Sequence, residues 1–107
     1  LYTTAQADAE IRKARQWWEA NRPAAPHLLK EELSETFERV TAHPNLGTRK
    51  PRKRFPNLRW VLLRKTRYLL FYEYRAEQNQ LLVLSLRSAW RINTRVSVWP
   101  LARAVRM

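Results

Sequence analysis

The stretch "RWVLLRKTRYLLFYEYRAEQNQLLVLSLR", residues 59–87, decides the fold. It holds three runs that are rich in branched and aromatic residues, at 59–66, 67–75 and 80–87. The polar breaks between them are short, as in consecutive antiparallel strands. Residues 59–87 are therefore predicted to form a β-meander.

Both faces of this meander carry apolar side chains. In the middle run Tyr68, Leu70, Tyr72 and Tyr74 share one face, while Leu69 and Phe71 lie on the other. The last run is apolar on both faces for most of its length, which favours an interior position in the sheet. A single layer of helices can cover only one face. The other face is therefore expected to meet the C-terminal segment or a partner protein.

Two amphipathic helices are predicted before the meander. Thr3 or Thr4 can cap the first, which should end before Pro23 because a proline disfavours helical geometry in the preceding residue. Pro26 suits the first turn of the second, which should end at "HPNLG", residues 43–47. The apolar stripes are Ala7, Ile11, Ala14 and Trp18, then Leu29, Leu33, Phe37 and Val40. The short link between the helices predicts an antiparallel hairpin.

The predicted fold is α+β, with an N-terminal antiparallel helical hairpin packed on a twisted antiparallel β-sheet of three to four strands. A chain of 107 residues is the size of one domain. The predicted segments are a helical hairpin at 4–43, a basic connector at 44–58, the β-meander at 59–87 and a basic C-terminal segment at 88–107.

Charge is distributed unevenly along the chain, which has a formal net charge of +12. Residues 1–38 sum to −2, whereas residues 39–107 hold sixteen basic residues against two acids. The connector carries a basic patch of Arg49, Lys50, Arg52, Lys53 and Arg54. Such a field attracts a nucleic acid or an acidic protein. A solvated loop without a partner is the alternative interpretation of the connector.

Most catalytic and metal-binding patterns are excluded by composition. A single glycine rules out a glycine-rich phosphate loop, and the absence of cysteine rules out thiolate sites. The two histidines, His27 and His43, have no further ligands nearby, so neither a metal nor a cofactor is predicted. No apolar run approaches the ~20 residues that span a bilayer, and a cytoplasmic, membrane-free protein is expected.

Several segments together resemble the RelE/ParE superfamily of toxins from type II toxin–antitoxin systems. They are "TTAQADAEI" (3–11), "HPNLG" (43–47), "RYLLFY" (67–72) and "SLRSAWR" (85–91), so the resemblance spans residues 3–91. It implies a helical hairpin on a twisted sheet, inhibition of growth, and neutralisation by an acidic antitoxin that wraps the toxin. RelE-like members cut mRNA in the ribosome with basic residues, whereas ParE-like members poison DNA gyrase.

The RelE-like catalytic positions are not basic in this chain. Alignment on the pattern places Trp60 and Leu62 at the two strand lysines, Leu69 at the strand arginine and Ala89 at the first late arginine. Apolar side chains cannot hold a phosphate or move a proton. "RPAAPHLL" (22–29) also resembles ParE-like chains, although Trp90 stands where these often have a histidine. A ParE-like protein without catalytic residues is therefore predicted.

The expected function is that of a toxin, of the kind linked to plasmid stabilisation, that inhibits DNA gyrase and is neutralised by an acidic antitoxin. The expected target-binding residues are Arg59, Arg64, Arg87, Trp90 and Arg91. The expected antitoxin-binding residues are Trp17, Leu69 and Phe71. One alternative is a ribosome-dependent mRNA endonuclease that uses Lys53, Arg54, Arg91 and Tyr72. The other is a non-catalytic basic module that binds nucleic acid.

Overall fold

The computed structural model describes residues 1–89. Its elements are β1 (Tyr2–Thr3), α1 (Ala5–Asn21), α2 (Leu28–Ala42), β2 (Thr48–Arg49), β3 (Leu58–Leu63), β4 (Tyr68–Arg75), a short 3-10 turn (Ala76–Gln78) and β5 (Gln80–Ser88). The strands form one sheet in the order β1-β5-β4-β3-β2, and both helices pack on it. This confirms the α+β fold class. Trp90, Arg91 and the rest of the C-terminal segment lie outside the described residues.

The helix boundaries follow the capping signals closely. Thr4 caps α1, because its hydroxyl oxygen accepts the N–H of Ala7 at 3.0 Å, and α1 ends at Asn21. The second helix begins at Leu28, two residues after the proline from which it was predicted. The N–H of Leu28 instead closes a turn onto the carbonyl of Ala25 at 3.2 Å. This turn keeps Pro26 out of the helix.

The sheet contains the predicted meander and two further strands. The antiparallel β3, β4 and β5 occupy the predicted runs to within a few residues. The two-residue β1 pairs in parallel with β5, and the two-residue β2 pairs antiparallel with β3. The sheet is therefore mixed and five-stranded, rather than wholly antiparallel with three to four strands. Two residues are too few to show a period in the sequence.

A β-bulge in β5 explains why that strand is apolar on both faces. Tyr72 pairs with Val83 and Phe71 pairs with Ser85, so Leu84 is an extra residue between them. Val83 packs in the core under the helices, whereas Leu84 packs on the opposite face. The strand lies between β1 and β4, which confirms its interior position.

Two apolar clusters lie on opposite faces of the sheet. The larger one packs the sheet against α1 and α2. On the other face, Leu58, Phe71 and Leu84 form what we call the second-face cluster. It is flanked by Phe55, Trp60, Leu69 and Leu82. The C-terminal segment expected to cover this face falls outside residues 1–89. Within that range, no helix is long and apolar enough to cross a membrane.

Candidate functional site

Basic residues from three segments surround an open concavity of about 690 Å³ at the end of the sheet where β3 begins and β4 ends. We call it the arginine basin. Four arginines line it, together with Glu73 and Glu77. They are Arg49 of β2, Arg54 of the connector, Arg59 of β3 and Arg75 of β4. The fold thus brings part of the predicted basic patch together with one predicted target-binding residue.

The loop beside the basin is fixed by hydrogen bonds from β3 and β4. Arg59 donates from one terminal nitrogen to the carbonyls of Gly47 at 2.7 Å and Asn45 at 3.3 Å. The Tyr72 hydroxyl donates to the carbonyl of Pro44 at 2.8 Å and accepts the N–H of Gly47 at 2.9 Å. Burial raises the pKa of Tyr72, although the Gly47 hydrogen bond and the Arg59 charge oppose this. Tyr72 is therefore a buried clamp for the loop.

Arg49 and Arg59 lie directly opposite each other in the β2–β3 ladder. Arg49 is exposed, and its only hydrogen bond to residues 1–89 reaches the carbonyl of Pro56 at 3.4 Å. Neither guanidinium forms an ion pair with a carboxylate of that part of the chain. The basin therefore presents two neighbouring cations without a bound acid.

The predicted target-binding residues lie at both ends of the sheet. Arg59 lines the basin, whereas Arg64 is exposed in the β3–β4 turn at the opposite end. Arg87 lies near that turn and contacts Glu10 of α1, with 3.1 Å between the terminal nitrogen and a carboxylate oxygen. These three do not form one continuous site. Trp90 and Arg91 belong to the undescribed segment, and the whole set stays a prediction.

The predicted antitoxin-binding residues are also distributed over two faces. Trp17 has 44% of its surface exposed on α1. The guanidinium of Arg22 lies 5.1 Å from its ring centre and 5.5 Å from that of Trp18, within cation–π range. Leu69 is half-buried and Phe71 is buried, both on the second face. Their role in antitoxin binding stays a prediction.

Apolar packing occupies the strand positions where RelE-like chains carry basic residues. Trp60 and Leu69 pack against the second-face cluster, and the half-buried Leu62 lies opposite Leu69. Ala89 donates its N–H to the carbonyl of Arg67 at 2.7 Å. These four residues supply packing and a backbone hydrogen bond, without a titratable side chain.

Two glutamates with structural roles were missed by the sequence analysis. The carboxylate of Glu32 accepts the N–H groups of Lys65 and Thr66 at 2.8 and 2.9 Å, and the Thr66 hydroxyl at 2.7 Å. Glu10 accepts the Ser85 hydroxyl at 2.8 Å and the N–H of Leu86 at 3.0 Å. Each glutamate lies three residues after a stripe residue, at a position that faces the core. That spacing is the signal that could have identified them.

No metal centre is formed by residues 1–89. Nowhere in that range do three or more histidine, cysteine, aspartate or glutamate side chains come together to hold an ion. The arrangement of the basin, with forked guanidiniums at its wall, is suited to binding oxyanions such as carboxylate or phosphate.

Comparison with known proteins gives one family and two similar folds. A model of the ParE toxin of type II toxin-antitoxin system, parDE, matches residues 1–92. A chain from a structure described as the chromosomal ParDE TA system from P. aeruginosa superposes with a TM-score of 0.64 and 14% identity, covering 81% of this chain and 91% of that one. The isolated E. coli RelE toxin gives a TM-score of 0.54 and 25% identity, covering 97% and 92%. No curated protein sequence matches the chain.

Proposed function

The chain belongs to the ParE toxin family of type II toxin–antitoxin systems, and from that premise we propose that it arrests growth by binding DNA gyrase and is neutralised by a cognate acidic antitoxin. The membership sets the class of protein. The choice of gyrase over the ribosome depends on the chemistry of the sheet.

The observation that carries this choice is the apolar packing at the RelE-like positions. Trp60 and Leu69 contact the second-face cluster, so that face cannot supply the cations and proton donors that RNA cleavage needs. The endonuclease alternative also invoked Tyr72. Its side chain is 0% exposed and both of its hydrogen bonds go to the loop at residues 44–47. A buried hydroxyl with two protein partners is poorly placed to meet an RNA ribose.

An acidic antitoxin agrees with the charge and with the exposed aromatic residue on α1. Residues 39–107 sum to +14, so an acidic partner would approach rapidly and in a preferred orientation. Trp17 and Arg22 offer an exposed tryptophan–arginine pair of the kind that dominates the energy of protein interfaces. One of the similar structures is described as a ParDE system, which also supports a cognate antitoxin as partner.

The test adds the purified protein to a gyrase supercoiling reaction and, in parallel, to a translating extract scored for mRNA cleavage. We expect inhibited supercoiling and intact mRNA, with the inhibition reversed by the cognate antitoxin. Cleaved mRNA with unaffected gyrase would overturn the proposal. A Trp60→Ala variant is a useful second sample, because a gyrase inhibitor does not need a ring at that position for chemistry.

A further inference from the structure

The arginine basin contains a pair of like charges that the fold itself does not explain. Arg49 and Arg59 are directly opposed in the β2–β3 ladder. Side chains in that relation have Cβ atoms about 4.5–5.5 Å apart on one face, and like charges there destabilise the sheet. Neither arginine is paired with an acid within residues 1–89. A ligand of opposite charge would convert this repulsion into binding.

The two guanidiniums still have donors to offer. Arg59 uses one terminal nitrogen for the carbonyls of Gly47 and Asn45, which fixes the position of its planar group. Its other nitrogens have no acceptor among residues 1–89. Arg49 makes a single long hydrogen bond to the carbonyl of Pro56. Two adjacent forks, one of them held rigidly, suit bidentate binding of oxyanions.

The lining of the basin favours phosphate on a nucleic acid over a carboxylate on a protein. Protein interfaces are anchored by large apolar side chains, and the described basin walls are instead rich in Arg, Asn, Gln and Glu. Tyr74 is the aromatic residue of the lining, and it packs on the main core cluster. The exposed anchor Trp17 lies elsewhere, on α1. The basin therefore lacks the character of a protein-docking site.

The arrangement of charge also matches a polymer with evenly spaced phosphates. Five of the six residues from Arg49 to Arg54 are basic, and Lys50 and Lys53 continue the cationic track of the connector beyond the basin. A DNA strand carries one phosphate per about 3.4 Å of helix axis, so several cations in a row can each meet one. Glu73 adds little repulsion, because it is bound to Arg75 and to the N–H of Asn57.

We propose that the Arg49–Arg59 pair is a phosphodiester clamp, which binds the backbone of the DNA that gyrase presents to this protein. The proposal rests on the proposed function for the origin of the DNA. The clamp itself is a property of this chain and is tested without gyrase.

The test measures fluorescence anisotropy of a short labelled DNA duplex against salt concentration, with wild type, Arg49→Gln and Arg59→Lys. Arg49 is exposed and makes one long hydrogen bond, so its replacement should leave the fold intact. Arg12→Gln, on the exposed side of α1, makes the same change in net charge and is the control. Arg59→Lys keeps the charge and removes the fork.

Loss of one phosphate contact lowers the slope of log K against log salt by about 0.9, which is roughly an eightfold loss of affinity at about 0.1 M salt. We expect this loss for Arg49→Gln and a clear loss for Arg59→Lys, with less than about a twofold change for Arg12→Gln. Equal affinities for Arg49→Gln and Arg12→Gln would overturn the clamp. So would loss of binding to a labelled polyglutamate peptide with DNA binding unchanged, since that result assigns the basin to an acidic protein.

The same samples in the supercoiling reaction separate this proposal from the proposed function. If wild type inhibits gyrase and Arg49→Gln binds DNA normally, the clamp is wrong and the gyrase proposal stands. If the slope falls as expected and wild type leaves gyrase unaffected, the gyrase proposal is wrong and the phosphodiester clamp stands, with its DNA coming from another source.

Discussion

Replacement of Glu32 by alanine tests whether one buried carboxylate joins the helical hairpin to the sheet. Glu32 lies on α2 and is 8% exposed, and its carboxylate accepts three hydrogen bonds from Lys65 and Thr66 in the β3–β4 turn. Thr66 is 1% exposed, so its two donors cannot reach water once the carboxylate is gone. Lys65 is exposed, and its N–H can be hydrated instead.

The expected loss follows from the two stranded donors of Thr66. Each buried donor without a partner costs about 1–3 kcal/mol, so Glu32→Ala should lower the free energy of unfolding by about 3 kcal/mol. A domain of this size has roughly 5–15 kcal/mol in total, so the loss is a large share. With a urea m-value of about 1.5 kcal/mol/M, the unfolding midpoint should fall by about 2 M. Glu32→Gln keeps one acceptor and should lose less.

The assay is urea unfolding followed by the fluorescence of the chain's five tryptophans. The matched control is Glu35→Ala, one turn along α2 and exposed, which should change the free energy of unfolding by no more than about 0.5 kcal/mol. If Glu32→Ala and Glu35→Ala have the same midpoint, the turn is not held by this carboxylate. The view of α2 as an anchor for the sheet would then be wrong.

Three further variants test the loop clamp and the exposed aromatic residue. Tyr72→Phe removes hydrogen bonds to Pro44 and Gly47 and should cost about 2 kcal/mol in urea unfolding. Because burial raises the pKa of Tyr72 above 10.0, wild type should lose stability as the pH rises above that value, when the unfolded tyrosine ionises first; Tyr72→Phe should lose less, and parallel pH curves would contradict this. Gly47→Ala places a Cβ 2.8 Å from both the Trp60 carbonyl and the Tyr72 hydroxyl, so it should lower the melting temperature through a loss of about 2 kcal/mol; an unchanged melting temperature would show that the loop can shift. Trp17→Ala should leave unfolding almost unchanged and weaken the antitoxin complex about tenfold by calorimetry, whereas the exposed neighbour Glu19→Ala should not; equal affinities would remove Trp17 from that interface.

The fold was predictable wherever a signal repeats along the chain. The stripe that starts at Ala7, the Thr4 cap and the three strand runs each involve several residues that agree with one another. The structure confirms all three. The strands β1 and β2 were not predictable, because they exist only through pairing with β5 and β3 and have no period of their own. The bulge at Leu84 is likewise set by pairing.

The candidate site was predictable in composition and less so in position. The excess of basic residues after residue 39 is plain in the sequence, and so is the apolar character of Trp60 and Leu69. The sequence gives no distances, however, so it could not show that Arg59 meets Arg49 across a ladder while Arg87 meets Glu10. Which cations are already paired depends on the tertiary structure alone.

The direction in which the acids point determines where a polyanion can bind. Glu10 and Glu32 turn from the helices toward the sheet, and Glu73 is buried within it, so these three stabilise the fold rather than neutralise the surface. Two of them also pair with Arg87 and Arg75. The acids left exposed on α2, such as Glu35 and Glu38, lie on its solvent side. The strongest unpaired field among residues 1–89 is therefore at Arg49 and Arg59, which is why a partner with repeated negative charge should bind there first.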